Sequence, residues 1–537
     1  MEEKDAVNKG KEDGREDETV LRLLRPMKSG LMHLVFSRFL LVFLLLVLQV
    51  LMIAAFYGWL NKQLAAYAAL LQGVFTFVMV VYLFNVRMDS SAKLTWMFII
   101  AIIPVTGAIL LAFTQGNLGH RRQKQMVAES IERTRTALSQ PEGVLEALEE
   151  EGCGTEDLVT YLNRSGSFPA YQNCGVTYYP SGEQKFEAML EDLKKAEKFI
   201  FLEYFIIEEG YMWGKILEIL TEKVKEGVEV RVMYDGMCEM FQLKAGYWKL
   251  LENLGIKARG FGVIRPIVSS HYNNRDHRKI LVIDGRIAYT GGVNLADEYI
   301  NRKERFGHWK DTAIRIEGEA AKSFTLMFLQ LWDLDGTETD LSPWLDVKTM
   351  IPEKASGTVI PYSDVPLDAD RVGENVYMDI LYRATDYVHI MTPYLILDGE
   401  LKTALNYAAE RGVDVKLILP GIPDKKMAYA LAKSHYRDLL DSGVKIYEYT
   451  PGFVHAKVFV SDDRKAVVGT INLDYRSLYH HFECAAYLDR TDCIPFIEQD
   501  FQNTLAQCRE VTYETIKKEK LFYRVMGRIL QVVAPLM

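Results

Sequence analysis

His277-Arg278-Lys279-Ile280-Leu281-Val282-Ile283-Asp284 returns further along the chain as His455-Ala456-Lys457-Val458-Phe459-Val460-Ser461-Asp462, and these two stretches decide the fold. Both follow the pattern His-x-Lys-x-x-x-x-Asp. The residues after each Lys are apolar and β-branched enough for a short buried strand, on which a His and a Lys two apart emerge on one face. Two such faces brought together predict a pocket of two imidazoles and two ammonium groups, suited to one phosphate.

The elements leading up to each copy also repeat. The first copy is preceded by a strand pattern over Phe199 to Ile207, a helix over Tyr211 to Lys225, Gly227, a strand over Val228 to Tyr234, a helix over Leu243 to Leu254 and Gly255. The second follows a strand over Tyr387 to Leu395, a helix over Gly399 to Glu410, Gly412, a strand over Val413 to Leu419, a helix over Lys425 to Asp441 and Gly443. Glu226-Gly227-Val228-Glu229-Val230 and Arg411-Gly412-Val413-Asp414-Val415 occupy the same place in the two series. The pattern predicts an α/β fold built by internal duplication, with parallel βαβ character in each half. Residues 166–340 form the first half, 341–357 a linker, and 358–537 the second half, the two packing around one shared site.

Each motif runs into a turn of small residues with an Asn: Thr290-Gly291-Gly292-Val293-Asn294 and Gly469-Thr470-Ile471-Asn472. Backbone N–H groups can approach an oxyanion closely there, and Asn294 and Asn472 add amide donors for phosphate. A carboxylate follows in each half, Asp311 after Trp309 and Glu483 after Phe482. A carboxylate that takes the Nδ1 proton of a histidine fixes its tautomer and leaves Nε2 for chemistry. Asp311 is therefore expected to orient His277, and Glu483 to orient His455. The candidate catalytic set is His277, Lys279, Asp284, His455, Lys457 and Asp462, with Asp284 and Asp462 supporting the motif through lysine or backbone.

Composition narrows the rest. A chain of 537 residues holds several units, and its net charge of -9 argues against a general nucleic-acid binder. The cysteines form no C-x-x-C pair, so neither a disulfide framework nor a structural metal is expected. His480 and His481 beside Glu483 have no counterpart cluster in the first half, so no metal and no cofactor are expected at the site.

Residues 1–30 read as a polar, disordered tail. Residues 31–118 carry three uncharged apolar runs, at 39–60, 64–84 and 94–113, and predict transmembrane helices, the third kinked at Pro104 and Gly107. Tyr57, Trp59, Tyr82 and Trp96 near the run ends suit membrane interfaces. Lys and Arg are balanced between the two sides, so the positive-inside rule does not orient the chain. The expectation is a multi-pass protein of the cell membrane with the catalytic halves in the cytoplasm. Residues 119–165 read as a polar helical connector near the membrane. The helix over Lys517 to Val533 combines Lys and Arg with Leu, Phe, Val and Ile. It fits either a core helix or a helix lying on anionic lipid.

These motifs resemble the phospholipase D superfamily, and within it the bacterial cardiolipin synthases. The resemblance lies in Asn273-Asn274-Arg275-Asp276-His277-Arg278-Lys279, in Gly291-Gly292-Val293-Asn294 with Asp297-Glu298-Tyr299, and in Trp309-Lys310-Asp311. It continues in Pro451-Gly452-Phe453-Val454-His455-Ala456-Lys457, in Gly469-Thr470-Ile471-Asn472-Leu473-Asp474-Tyr475-Arg476-Ser477, and in Lys93-Leu94-Thr95-Trp96 leading to Pro104-Val105-Thr106-Gly107. His481 departs from the family, which usually has Asn there, and three apolar runs stand where two are usual.

The resemblance implies phosphatidyl transfer between two molecules of phosphatidylglycerol through a phosphohistidine, with membrane lipid as partner and no metal. It implies His277 as nucleophile and His455 as acid, roles that the residues alone leave open. The residues also admit a phospholipase D-type hydrolase or another phosphatidyltransferase. A nuclease, or a membrane scaffold with an inactive duplication, fits the acidic charge, the apolar runs and the two intact motifs less well.

Overall fold

The structure, a computed structural model, describes residues 62–86, 88–115, 121–262, 274–335, 337–367 and 370–536. The polar tail and the first apolar run lie outside these residues. The chain divides into two compact units, one holding Arg122–Arg528 and the other the described residues up to Arg121 together with those from Ile529 onward.

The larger unit is built on two mixed sheets with one strand order. In the first, Gly175–Tyr179, Ala313–Glu317, Ile287–Gly291, Lys279–Ile283, Phe199–Tyr204, Glu229–Asp235 and Lys257–Phe261 lie side by side. In the second, Thr358–Asp364, His481–Asp489, Lys465–Gly469, Val458–Ser461, Tyr387–Met391, Asp414–Pro420 and Lys445–Tyr449 take the same places, with Cys508–Glu510 added at the edge. The duplication read from the sequence is therefore present strand by strand.

The parallel βαβ character holds for three strands of each sheet only. The motif strands run antiparallel to their neighbours Phe199–Tyr204 and Tyr387–Met391. Few residues separate Tyr449 from Val458, too few for the crossover a parallel partner needs, so the chain returns in the opposite direction.

The repeated Gly-Val pairs have one geometric cause. Gly227 and Gly412 sit at φ +91° and +97°, a region closed to most side chains, and end the preceding helices. Val228 N–H bonds Lys223 O at 3.0 Å and Val413 N–H bonds Ala408 O at 3.2 Å, the six-to-one bond that terminates a helix and turns the chain into the next strand.

The connector is part of the larger unit's core. Its helices Val144–Glu151 and Thr155–Gly166 bury Leu148, Val159 and Leu162 completely in a hydrophobic cluster that draws on both halves. Thr155 Oγ1 donates to Asp489 at 3.0 Å. In the linker, Trp344 packs on Phe199 and Phe201 of the first sheet.

In the smaller unit, Lys62–Asn85 contains a helix long and apolar enough to cross a membrane. The run at 94–113 is not one helix: it is split between Ser90–Ile102 and Pro104–Gln115. Pro104 brings no N–H to continue the ladder. A Cβ on Gly107 would lie 3.1 Å from Ile100 Cγ1 and 3.2 Å from its Cα, so glycine lets the two segments fold closely together. The C-terminal helix, which belongs to the larger unit as far as Arg528, is also in two pieces, Tyr513–Lys518 and Leu521–Gln531, broken where Glu519 is extended. Leu521, Phe522 and Val525 on the second piece are exposed beside Arg524 and Arg528.

Candidate active site

The two halves meet by exchanging short strands. Arg275–Asp276, just before the first motif, pairs in parallel with the start of His481–Asp489, and His277 N–H bonds Phe482 O at 2.9 Å. Gly452–Val454, just before the second motif, pairs in parallel with His308–Lys310, and His455 N–H bonds Lys310 O at 2.7 Å. Each histidine is thus held at the mouth of its motif strand, one residue after a strip of sheet made with the other half.

This exchange corrects the expected carboxylate assignment. His277 Nδ1 lies 2.9 Å from both oxygens of Glu483, and His455 Nδ1 lies 2.7 Å from Asp311 Oδ2. Each half supplies the carboxylate for the other half's histidine. Proximity in sequence favours pairing within a half, but the interlocked strands carry Phe482-Glu483 to His277 and Lys310-Asp311 to His455.

The carboxylates are themselves held. Glu483 accepts from Ser477 Oγ at 2.7 Å and from Thr470 Oγ1. Asp311 accepts the Thr312 N–H at 2.9 Å and the Trp309 indole N–H at 3.5 Å. The roles of Thr470, Ser477 and Trp309 were not read from the sequence, although all three stand inside the motif stretches. Gly292 is required by the fit: a Cβ there would fall 2.0 Å from Asp311 Oδ1 and 2.8 Å from His455 O.

Lys279 and Lys457 are buried and turned back over their histidines. Lys279 Nζ donates to His277 O at 2.5 Å, and Lys457 Nζ donates to His455 O and lies 3.0 Å from His455 Nδ1. Burial pushes Lys279 down to about 8 and Lys457 down to about 7. Burial, then Lys279, His481, Lys457 and His455, push His277 well below the ordinary imidazole range. The exchanged strands and the crossed carboxylates bring both motifs to one pocket. Burial with Lys457 takes His455 down to about 4 against the pull of Asp311. The site therefore rests with two neutral imidazoles whose Nδ1 atoms face carboxylates, leaving Nε2 as the reactive nitrogen.

The two pairs are not electrostatically equal. Burial pushes Glu483 well above the carboxylate range, only partly opposed by Lys279 and the two hydroxyls. Burial would also raise Asp311, but His455, Lys457 and the Thr312 N–H outweigh it and hold Asp311 below the ordinary range. Asp311 stays anionic behind His455, whereas Glu483 tends towards its neutral form behind His277.

Asp284 and Asp462 face away from the chemistry. Asp284 accepts the N–H groups of Glu197, Lys198 and Phe199 at 2.9, 2.7 and 2.9 Å, and Asp462 those of Thr385, Asp386 and Tyr387 at 2.9, 3.0 and 2.9 Å. Each ties the end of its motif strand to the start of the neighbouring one, which leaves His277, Lys279, His455 and Lys457 as the candidate catalytic set. The backbone arm of the support expected of these carboxylates is what the bonds describe.

Asn294 accepts the Ile206 N–H at 3.0 Å and donates to Tyr299 Oη at 2.9 Å, which commits most of its amide to its own half. Asn472 Oδ1 is buried with no partner. Phe205 and Tyr299 rings pack against His277 and His455 at centroid distances of 4.9 and 5.4 Å and shield the imidazoles. His277, His481 and Glu483 bring ligand atoms within 4.8 Å of one another, but both Glu483 oxygens already receive hydroxyl and imidazole contacts.

A duplicated α/β fold with two crossed His–carboxylate pairs, each beside a lysine, defines a two-histidine phosphodiester enzyme of the phospholipase D type. The family described as "Cardiolipin synthase, PLD-like domain" matches residues 189–332 and 377–505. The chain belongs to this family. It is 32% identical to the cardiolipin synthase of Alkalihalophilus pseudofirmus over 86% of this chain and 92% of that protein. It is 33% identical to cardiolipin synthase 2 of Bacillus anthracis over 83% of this chain and 87% of that one. An uncharacterized protein of Streptococcus mutans is 57% identical over 85% of this chain and 99% of its own. Among solved structures, phosphatidylserine synthase of Haemophilus influenzae shares the fold, with a TM-score of 0.54 at 16% identity, covering 71% of this chain and all of that one.

Proposed function

We propose that the protein transfers a phosphatidyl group from one phosphatidylglycerol to the hydroxyl of another, giving cardiolipin and glycerol. The observation that carries the mechanism is the crossed pairing, which fixes both imidazoles through Nδ1 inside a lysine-lined pocket. Membership of the cardiolipin synthase family selects the lipid substrate.

In the first step His455 takes up a proton at Nε2 from solvent as the phosphodiester anion binds, His277 Nε2 attacks the phosphorus, the bond from phosphorus to the glycerol oxygen breaks, and His455 gives that oxygen the Nε2 proton. In the second, a hydroxyl of the incoming lipid attacks the same phosphorus. Its proton passes to His455, and the phosphorus–nitrogen bond breaks to restore His277. The roles follow the unequal carboxylates. Asp311 remains anionic and stabilises the imidazolium that His455 must become, while Glu483 leaves His277 neutral and nucleophilic. A bound phosphodiester anion adds to the pull on the His455 proton. Lys279 and Lys457 stabilise charge on the non-bridging oxygens, assisted by Asn472.

The Lys62–Asn85 helix anchors the enzyme in the membrane that holds its substrate, as one of several spans, with the catalytic unit on the cytoplasmic side. The test is a product assay. Purified protein given phosphatidylglycerol in detergent without added divalent metal is expected to release glycerol and form a lipid with two phosphates. Phosphatidic acid as the sole lipid product would make it a hydrolase instead.

A further inference from the structure

Transfer between two anionic lipids raises a problem that hydrolysis does not: the acceptor brings a second phosphate, one glycerol away from the reacting one. On a chain of net charge -9 that phosphate needs a local cation. Lys279 and Lys457 are committed to the first phosphate. Arg275 is neutralised by Asp235 at 2.9 Å, and Arg278 by Glu203 at 2.6 Å.

Arg476 is different. It stands in the short helix Tyr475–Tyr479 that leads into the Glu483 strand, is half-buried, and makes no side-chain hydrogen bond or ion pair among the described residues. Asp474, the carboxylate that bears on it most, instead accepts the Ser477 N–H at 2.9 Å. A half-buried guanidinium without a partner is costly, and its planar fork suits phosphate oxygens.

His481 stands five residues on, at the start of the same strand. It is 8% exposed, and neither ring nitrogen has a hydrogen-bond partner among the described residues. Its ring centroid lies 5.3 Å from that of His277, and Nδ1 is 3.7 Å from Glu483. An imidazole buried in this way carries the cost of its desolvated nitrogens until something bonds to it. Arg476 and His481 stand at the two ends of the link between the short helix and the strand, and after burial the Arg476 charge has the largest influence on His481.

We propose that Arg476 and His481 form a second anion subsite beside His277, which holds the phosphate of the acceptor phospholipid while its hydroxyl attacks the phosphohistidine. This rests on the transfer reaction proposed above. Arg476 grips the phosphate oxygens, and His481 donates an N–H to a phosphate or glycerol oxygen. Neither takes part in breaking the first phosphodiester.

The experiment compares two acceptors for one donor. The full-length protein in mixed micelles is given phosphatidylglycerol, and cardiolipin formation is measured beside phosphatidyl transfer to 1-butanol, an acceptor without phosphate. The ratio of the two rates is expected to fall about tenfold or more in Arg476→Ala and in His481→Ala, a change of about 1.4 kcal/mol in relative acceptor recognition. Arg476→Lys, which keeps the charge without the fork, should give an intermediate ratio, and His481→Asn should restore much of it. A ratio equal to that of the wild type in Arg476→Ala and Arg476→Lys, whether both rates fall together or neither falls, overturns the subsite. Wild-type protein that transfers to butanol and never to phosphatidylglycerol would instead overturn the cardiolipin reading itself.

Discussion

Asp311 lies in the first half of the duplication, and its Oδ2 bonds Nδ1 of His455 in the second half at 2.7 Å. Glu483 and His277 repeat the arrangement in the opposite sense at 2.9 Å. Neither half holds both members of either of these two pairs. The duplication therefore builds one site rather than two, and separating the halves would strip both imidazoles of their support.

The crossed pairing can be read directly by NMR. In protein with ring-labelled histidines, Asp311→Asn is expected to move the His455 nitrogen resonances and leave those of His277 close to their wild-type values. Glu483→Gln should do the reverse. Each substitution should also lower turnover by about 10²–10⁴-fold, the usual worth of a supported acid–base group. A His277 response to Asp311→Asn would restore the pairing within each half.

The sequence made the duplication legible because its signals are local. A His-x-Lys strand, a Gly-Val helix stop and a small-residue turn each depend on a few adjacent positions, and each recurs. The pairing was not legible, because nothing near Asp311 in sequence states that Gly452–Val454 will lie beside His308–Lys310. Arg476 and His481 were visible as residues, but their lack of partners is a property of the packed site. The break at Pro104 was foreseen as a kink, whereas the close packing of Gly107 on Ile100 depends on backbone geometry that composition does not carry.

The two histidines should separate when the leaving group no longer needs a proton. With a p-nitrophenyl phosphodiester, His455→Ala is expected to retain a burst of p-nitrophenol equal to the enzyme present and to accumulate phosphorylated protein. His277→Ala should show neither. With phosphatidylglycerol both variants should be inactive. A burst from His277→Ala in place of His455→Ala would exchange their roles.

Asp284 and Asp462 each satisfy three backbone N–H groups at a strand junction. Replacing Asp284 with Ala strands its donors, which should cost about 1–3 kcal/mol of stability, and replacing Asp462 should cost less, because Thr385 and Asp386 are exposed and their N–H groups can turn to water. The expected outcome is a thermal midpoint lowered by several degrees, with turnover per folded molecule near wild type. An intact midpoint with lost turnover would return these carboxylates to the catalytic set.

The pH dependence follows from the buried lysines. Lys457 at about 7 and Lys279 at about 8 must be protonated to attract a phosphodiester anion. Their contribution is present below these values and lost as pH rises through them. In the free enzyme kcat/KM should therefore fall between about pH 7 and about pH 9, chiefly through KM. Lys457→Arg keeps its charge throughout this range and should move the start of that limb up towards about pH 8, where Lys279 still titrates, even where the altered geometry lowers the maximum. A falling limb whose start Lys457→Arg leaves unmoved would assign it to another group.

Gly292→Ala tests the site without removing any functional group. The added Cβ would meet Asp311 Oδ1 at 2.0 Å and the His455 carbonyl at 2.8 Å. The carbonyl belongs to backbone held by the Lys310 bond, so the carboxylate must be the group that moves. Its displacement breaks the contact with His455 and leaves the Glu483–His277 pair untouched. The variant should resemble Asp311→Asn in both its NMR response and its turnover, while the p-nitrophenyl burst from His277 persists. Loss of that burst would show that the disturbance reaches the nucleophile as well, and that the two crossed pairs do not act independently.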